Sequence, residues 1–161
     1  MIPLRNRFEP LYYRIESVLE SSPQYLILVG LFTLAFAMSL AFGFGSGRIS
    51  VDLHGDESDY FNIAVNLSES FKFSDSPGFD AYRPPFVPVV LSAVFLWVSE
   101  PGNVLARAVI ALFGALAAPL LYLLARQLIP HSRSLPLAGA LAWSLYPSAI
   151  FYSIILQSES A

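Results

Sequence analysis

Residues 25–44 read YLILVGLFTLAFAMSLAFGF and contain no charged side chain. At about 1.5 Å per residue, a helix of this length extends roughly 30 Å, which is the thickness of a bilayer's hydrocarbon core. An acidic cluster, residues 55–60 (GDESDY), follows shortly afterwards. Carboxylates just beyond a membrane exit stay ionised at the water boundary and still face lipid-borne material. The sequence therefore predicts a first transmembrane helix over 25–44 and candidate chemistry in the acidic cluster.

The composition indicates a membrane protein. Of the 161 residues, 55% are apolar and 13% are charged, whereas about a quarter of the residues in a soluble domain are charged. The net charge is −3, so we expect no nucleic-acid partner. The sequence has no cysteine, which excludes disulfides, thiolate metal sites and a cysteine nucleophile within it.

The charge distribution predicts an orientation. Residues 1–24 contain three arginines and three glutamates, whereas residues 45–103 contain eight acidic and three basic residues. Because Lys and Arg in short flanking segments stay cytoplasmic, we expect the N-terminus inside and the acidic loop outside. The alternative is that the first apolar stretch is a signal peptide that is cleaved near residues 42–47. The length of the apolar stretch and of the segment before it favours a retained anchor.

The remaining apolar segments predict an all-α fold with three membrane spans and a large first external loop. A short apolar segment, 86–98, would extend only roughly 20 Å as a helix and suits the membrane interface. Residues 72–82 are rich in turn-forming residues and are predicted to be irregular. The predicted protein is a multi-pass plasma (inner) membrane protein. Its predicted parts are a cytoplasmic amphipathic segment (1–24), the first span (25–44), the external loop (45–103) with helices at 58–71 and 86–98, the second span (104–129), a cytoplasmic loop (130–136), the third span (137–156) and the start of a second external loop (157–161).

Several short motifs occur in a fixed order along this topology. They are Asp56-Glu57 after the first span, Tyr82-Arg83-Pro84-Pro85 before an apolar helix, Arg107 at the start of the second span, Ser144-Leu145-Tyr146-Pro147, and Glu159 after the third span. This ordered set resembles the N-terminal part of GT-C class integral-membrane glycosyltransferases. The nearest groups are the dolichyl-phosphate-mannose-protein mannosyltransferase and aminoarabinose-transferase-like families. The resemblance covers nearly all of the chain from about residue 25. It implies a truncated fragment, inactive alone, because family members have more spans.

The resemblance implies a hexosyl- or pentosyl-type glycosyltransferase. Such an enzyme transfers a sugar from a polyprenyl-phosphate donor to a hydroxyl of a glycan, lipid or protein acceptor at the extracytoplasmic face. Asp56 matches the family's catalytic or metal-linked carboxylate. Glu159 matches a second acid near the reaction centre, where the family often has aspartate. A divalent cation, Mg²⁺ or Mn²⁺, held by Asp56 and Glu159 is the corresponding cofactor hypothesis.

The residue types suit this chemistry. A carboxylate can accept the proton of the attacking hydroxyl, and Asp56 is the candidate base. A guanidinium can bind the departing phosphate with paired donors, and Arg83 is the candidate for that contact. Glu57, Tyr82 and Arg107 are further candidate substrate or phosphate contacts.

Each assignment has a simpler alternative. Asp56 would cap the helix that follows it, and Glu159 would only mark the end of a span. Arg83 and Arg107 would contact lipid headgroups as interfacial anchors. For the whole chain the alternative is a transporter, a flippase or a non-enzymatic membrane subunit. Transport predicts ionisable residues near the middle of the spans, whereas the acids of this sequence gather in the loop.

Overall fold

The computed structural model describes residues 5–76, 79–80 and 83–156. The architecture is helical, as predicted, with one short β-hairpin in the part of the chain that is described. The helices are α1 (Arg5–Ser21), α2 (Gln24–Gly45), α3 (Asp56–Ser70), α4 (Phe86–Phe95), α5 (Asn103–Ala115), α6 (Ala117–Leu128), α7 (Ser134–Ser144) and α8 (Pro147–Tyr152). The strands are β1 (Ser74–Ser76) and β2 (Phe79–Asp80), which pair in antiparallel orientation within the segment predicted to be irregular.

Two helical stretches are long and apolar enough to cross a membrane. They are α2, with 22 residues, and the 26-residue stretch Asn103–Leu128 formed by α5 and α6. A core helix of a soluble protein also passes this test, but it would be mostly buried. Only 22% of the most apolar window of α2 and 28% of that of Asn103–Leu128 are buried. Most residues of the two windows are therefore not fully buried, although an N-terminal signal sequence would pass the same test as α2.

The second of these stretches is interrupted at Leu116, where α5 ends and α6 begins. Pro119 follows in the first turn of α6. Proline has no backbone N–H, and its ring crowds the carbonyl group four residues earlier, which here belongs to Ala115. Leu116 keeps right-handed helical angles, with φ −65° and ψ −21°, so the two helices follow each other directly.

The third predicted span, 137–156, is not a continuous helix. It is divided into α7 and α8, which are separated by Leu145 and Tyr146. The residue before a proline avoids the helical region, and Tyr146 accordingly has φ −72° and ψ 119° ahead of Pro147. The segment predicted as the third span thus contains two short helices, and a count of three spans is not confirmed.

The buried apolar side chains form two clusters. The first, the α3–α4 core, joins α3 and α4 to α5, and the second, the α2–α6–α7 core, joins α2 to α6 and α7. The α3–α4 core consists of Tyr60, Ala64, Val87, Leu91, Phe95, Ala106, Ile110 and Leu156. The α2–α6–α7 core consists of Leu31, Ala35, Ala115, Ala118, Tyr122 and Ala140.

Small residues bring α8 close to α2 and α5. A Cβ atom at Gly114 would lie 2.8 Å from the Cβ of Ser153. Ser153 Oγ donates a hydrogen bond to Ser39 Oγ at 2.7 Å, and both residues are buried. Close backbone approach and hydroxyl bonds between helices are the means by which apolar helices associate in a membrane.

The N-terminal helix is attached to the connector between α6 and α7 by reciprocal capping. The carboxylate of Glu16 accepts hydrogen bonds from the backbone N–H groups of Arg133 and Ser134, at the start of α7. In return, Nη1 of Arg133 donates to the carbonyl oxygens of Leu19 and Ser22, at the end of α1, at 2.8 and 2.9 Å. Each helix thus supplies hydrogen-bond partners to backbone groups at the end of the other, where partners within the helix become scarce.

The same contacts determine the pKa of Glu16. Desolvation is the largest single influence and raises the pKa of Glu16. The hydrogen bonds from Ser134, Arg133 and Ser132 together outweigh it, because they stabilise the ionised carboxylate. The pKa of Glu16 is therefore lowered overall.

Candidate functional site

The acidic cluster forms the first turn of α3. Gly55 precedes the helix with φ 57° and ψ −128°, a backbone conformation that side-chain-bearing residues rarely adopt. This turn places Asp56, Glu57 and Asp59 at the helix N-terminus. The unpaired N–H groups there carry partial positive charge, which favours carboxylates.

Arg83 binds two of these acids. Its Nη2 lies 2.6 Å from Asp56 Oδ1 and 2.5 Å from Asp59 Oδ2, and its Nε donates to Asp59 Oδ2 at 3.2 Å. The guanidinium carbon lies 5.8 Å from the centre of the Tyr60 ring. The hydrogen bond to Asp59 is the main cause that raises the pKa of Arg83; desolvation opposes it, and Asp56 adds to the rise.

Glu57 faces a different arginine. Its Oε2 lies 3.1 Å from Nη2 of Arg107, and the exposed fractions of the two side chains are 13% and 3%. The other oxygen of Glu57 accepts the backbone N–H of Leu156 at 3.2 Å. Glu57 therefore connects α3 to α5 and to the chain just beyond α8.

The guanidinium of Arg107 has further donors to offer. Within the part of the chain described above, its Nε and Nη1 atoms are buried and lack a hydrogen-bond partner. An unsatisfied buried donor is unfavourable by about 1–3 kcal/mol, and by more when it is charged. Nε and Nη1 lie on different edges of the guanidinium and Nη2 is bound to Glu57, so each unpartnered donor would need an acceptor oxygen of its own.

The structure thus brings four of the predicted site residues together at one helix end: Asp56, Glu57, Arg83 and Arg107. Tyr82 and Glu159 lie outside the described residues, so their predicted roles remain predictions. His54 is exposed.

One simpler alternative fails for this cluster. Asp56 does not cap α3, since Gly55 occupies the N-cap position without a side-chain hydrogen bond and Asp56 is the first residue of the helix. Arg83 and Arg107 bind carboxylates of α3, and their contact with lipid headgroups stays an alternative.

Sequence reasoning did not single out Asp59, which the structure pairs with Arg83. The spacing of Asp56 and Asp59 was the available signal, because residues three apart lie on the same helix face and can share one cation.

The predicted metal site is not assembled by the described residues. Among them, no three His, Asp or Glu side chains are grouped so as to hold a metal ion. Asp56 is paired with Arg83, and its predicted partner Glu159 is outside these residues. The Asp56–Glu159 cation site therefore stays a prediction, and no chemical step below depends on a metal.

Comparisons with protein-family models, curated proteins and solved structures found no match for this chain. Evidence for function therefore comes from the sequence motifs and from the geometry of the α3 cluster, which consists of Asp56, Glu57, Asp59, Arg83 and Arg107.

Proposed function

We propose that this protein is a multi-pass membrane glycosyltransferase that uses a polyprenyl-phosphate sugar donor. Its N-terminus would lie in the cytoplasm, and the α3 cluster would lie at the extracytoplasmic face, where it transfers the sugar to an acceptor hydroxyl. The observation that carries the proposal is the pairing of three first-turn acids with two arginines from separate elements, one of which retains unpartnered buried donors.

The cluster offers both charges that such a transfer needs. The side chain of Asp56 is 54% exposed, so an acceptor hydroxyl can approach it. Arg83, whose side chain is 24% exposed, is the cation that a phosphate can reach, whereas Arg107 is 3% exposed and bound to Glu57. Both lie beside apolar helices, as a donor with a polyprenyl tail requires.

In the proposed reaction, the acceptor oxygen bonds to the anomeric carbon while the bond between that carbon and the phosphate oxygen breaks. The electron pair of the broken bond leaves with the lipid phosphate, and guanidinium groups stabilise its charge. The proton of the acceptor hydroxyl passes to Asp56.

The ion pair of Arg83 with Asp56 links these two events. While Arg83 is bound to Asp56, its Nη2 occupies Oδ1 of that carboxylate. A donor phosphate competes for the same guanidinium. Its binding would draw Arg83 away and leave Oδ1 of Asp56 open to the acceptor hydroxyl once the donor is in place.

The test is sugar transfer in membranes that contain the natural gene product with Asp56→Asn. Polyprenyl-phosphate mannose and polyprenyl-phosphate aminoarabinose are the donors, because these sugars belong to the two families that the sequence resembles. We expect the rate to fall by about 10²–10⁴-fold, the usual contribution of a general base.

Asp52→Asn is the matched control. It makes the same change at an exposed aspartate just before α3, and we expect it to leave transfer within a few-fold of the unmodified protein. Undiminished transfer in a well-expressed Asp56→Asn protein would remove Asp56 from the mechanism. Absence of transfer from either donor by the unmodified protein would contradict the proposed activity itself.

A further inference from the structure

An apolar groove lies between α6 and α7, and none of the residues of the α3 cluster lines it. Its volume is about 470 Å³, which is within the range of small-ligand sites. Several of its lining residues are large and exposed, so the groove opens to the outside of the helix pair. These residues include Leu121, Ile129, Leu135, Trp143 and Tyr146.

The length of the groove matches one leaflet of a bilayer. It runs along α7 from Leu135 to Trp143, which extend roughly 12 Å at the helical rise, and reaches Tyr146 just beyond the end of the helix. Half of a bilayer's hydrocarbon core measures roughly 15 Å. An acyl chain of one leaflet therefore fits along it.

Positive charge borders one end of the groove. The connector between α6 and α7 follows the lining residue Ile129 and precedes Leu135, and it is flanked by Arg126 and Arg133. Nη1 of Arg126 donates to the carbonyl oxygens of Pro130 and Ser132 at 2.9 and 2.8 Å.

Neither of these guanidinium groups forms an ion pair with a carboxylate within the described residues. Nη1 of Arg133 donates to carbonyl oxygens of α1. Glu16 approaches from α1 and directs its oxygens to the backbone N–H groups of Arg133 and Ser134. The sequence from 101 to 158 contains no acidic residue.

We infer that this groove binds an anionic phospholipid. One acyl chain would lie between α6 and α7, and the headgroup phosphate would lie at the basic connector. Basic pockets between membrane helices on the cytoplasmic side are suited to anionic headgroups. The inference depends on the membrane insertion proposed above but not on glycosyl transfer.

The first test compares two lipids on the unmodified chain purified in detergent. Phosphatidylglycerol and phosphatidylcholine with identical acyl chains are added separately, and bound lipid is measured by native mass spectrometry. Two nearby arginines predict a preference for phosphatidylglycerol on the order of tenfold, and added salt should reduce it. Equal retention of the two lipids would overturn the inference.

A second test fills the groove. Gly139 lines it, and a Cβ atom there would meet nothing within 4 Å, so Gly139→Leu adds bulk without a clash. Gly30→Leu is the matched control, because Gly30 lies in α2, outside the groove, and is equally unobstructed. We expect Gly139→Leu to remove most of the phosphatidylglycerol preference and Gly30→Leu to keep it.

Other occupants give different results. Unchanged lipid binding in Gly139→Leu would exclude this groove as the lipid site. A dimer of the unmodified chain that dissociates in Gly139→Leu, measured by light scattering, would show that a second copy occupies the groove and would also overturn the inference.

Discussion

Arg107 is the residue whose surroundings most restrict what can replace it. Its side chain is 3% exposed, and Glu57 is its ion-pair partner. Breaking a buried ion pair by removing one partner leaves an uncompensated charge, whereas replacing both partners with neutral groups is often tolerated. The pair is therefore best tested by comparing single and double substitutions.

We predict that Arg107→Met lowers the free energy of unfolding by about 3–5 kcal/mol, because Glu57 is left charged without its cation. The double variant Arg107→Met with Glu57→Gln should recover a large part of this loss. Urea unfolding of the purified chain in detergent measures both. Equal instability of the single and double variants would show that Arg107 acts by its packing and not by its charge.

At the scale of single elements, the contact between α5 and α8 depends on the absence of a side chain. A Cβ atom at Gly114 would lie 2.8 Å from the Cβ and 3.3 Å from the Cα of Ser153. We predict that Gly114→Ala destabilises the chain by about 1–3 kcal/mol, as overpacking does. The measurement is the thermal midpoint in detergent.

Gly30→Ala is the control for this change, since a Cβ atom at Gly30 meets nothing within 4 Å. Both glycines lie inside helices, so alanine gains about 1 kcal/mol of helix propensity at each. Gly30→Ala should therefore be neutral or stabilising. An increase in stability in Gly114→Ala would show that α8 moves away from α5 without loss.

The attachment of α1 to α7 is an element-scale contact that depends on pH. Because the pKa of Glu16 is lowered in the folded chain, its contribution to stability is complete above its unfolded pKa of 4.5. It is lost as the pH falls through the lower, folded pKa. We predict that Glu16→Gln lowers the thermal midpoint at pH 7 and that the difference from the unmodified chain shrinks below about pH 4.5.

Glu20→Gln is the control for Glu16→Gln, because Glu20 is an exposed acid of the same helix. It should leave both the midpoint and its pH dependence nearly unchanged. A difference between Glu16→Gln and the unmodified chain that persists undiminished at pH 3 would show that its ionisation does not maintain the contact.

At the scale of the whole molecule, the proposed orientation can be tested directly. The sequence has no cysteine, so single cysteines introduced by substitution are the only labelling sites. Glu69→Cys in α3 and His131→Cys in the α6–α7 connector replace exposed residues. We predict that a membrane-impermeant thiol reagent labels Glu69→Cys in intact cells and labels His131→Cys only after lysis. Labelling of His131→Cys in intact cells would contradict the orientation.

The sequence predicted the parts of the fold that depend on local composition. The charge-free run over 25–44 corresponds to α2, and the apolar run over 104–129 corresponds to α5 and α6. Pro147 was the one sequence feature that indicated the division of 137–156 into two helices, and the effect of a proline inside a helix depends on the packing around it. In the α3 cluster, the residue types correctly indicated a charged site, but the sequence did not indicate which arginine binds which acid. Arg83 binds both Asp56 and Asp59 because the helix places the two acids on one face.

Contacts between distant parts of the sequence were beyond prediction. The reciprocal capping of α1 and α7 joins Glu16 to a backbone N–H group 117 residues later in the chain. Neither residue has a local pattern that indicates the other, because helix-end groups accept any suitably placed partner.

The reciprocal capping also has a consequence for biosynthesis. During translation, the N-terminal helix and the first apolar helix leave the ribosome long before the residues around position 133 have been made. Until then the carboxylate of Glu16 has none of the amide donors that it binds in the finished protein. The α1 segment is therefore secured long after it is synthesised, and a nascent chain that stalls before residue 133 would present an unattached α1 to cellular proteases.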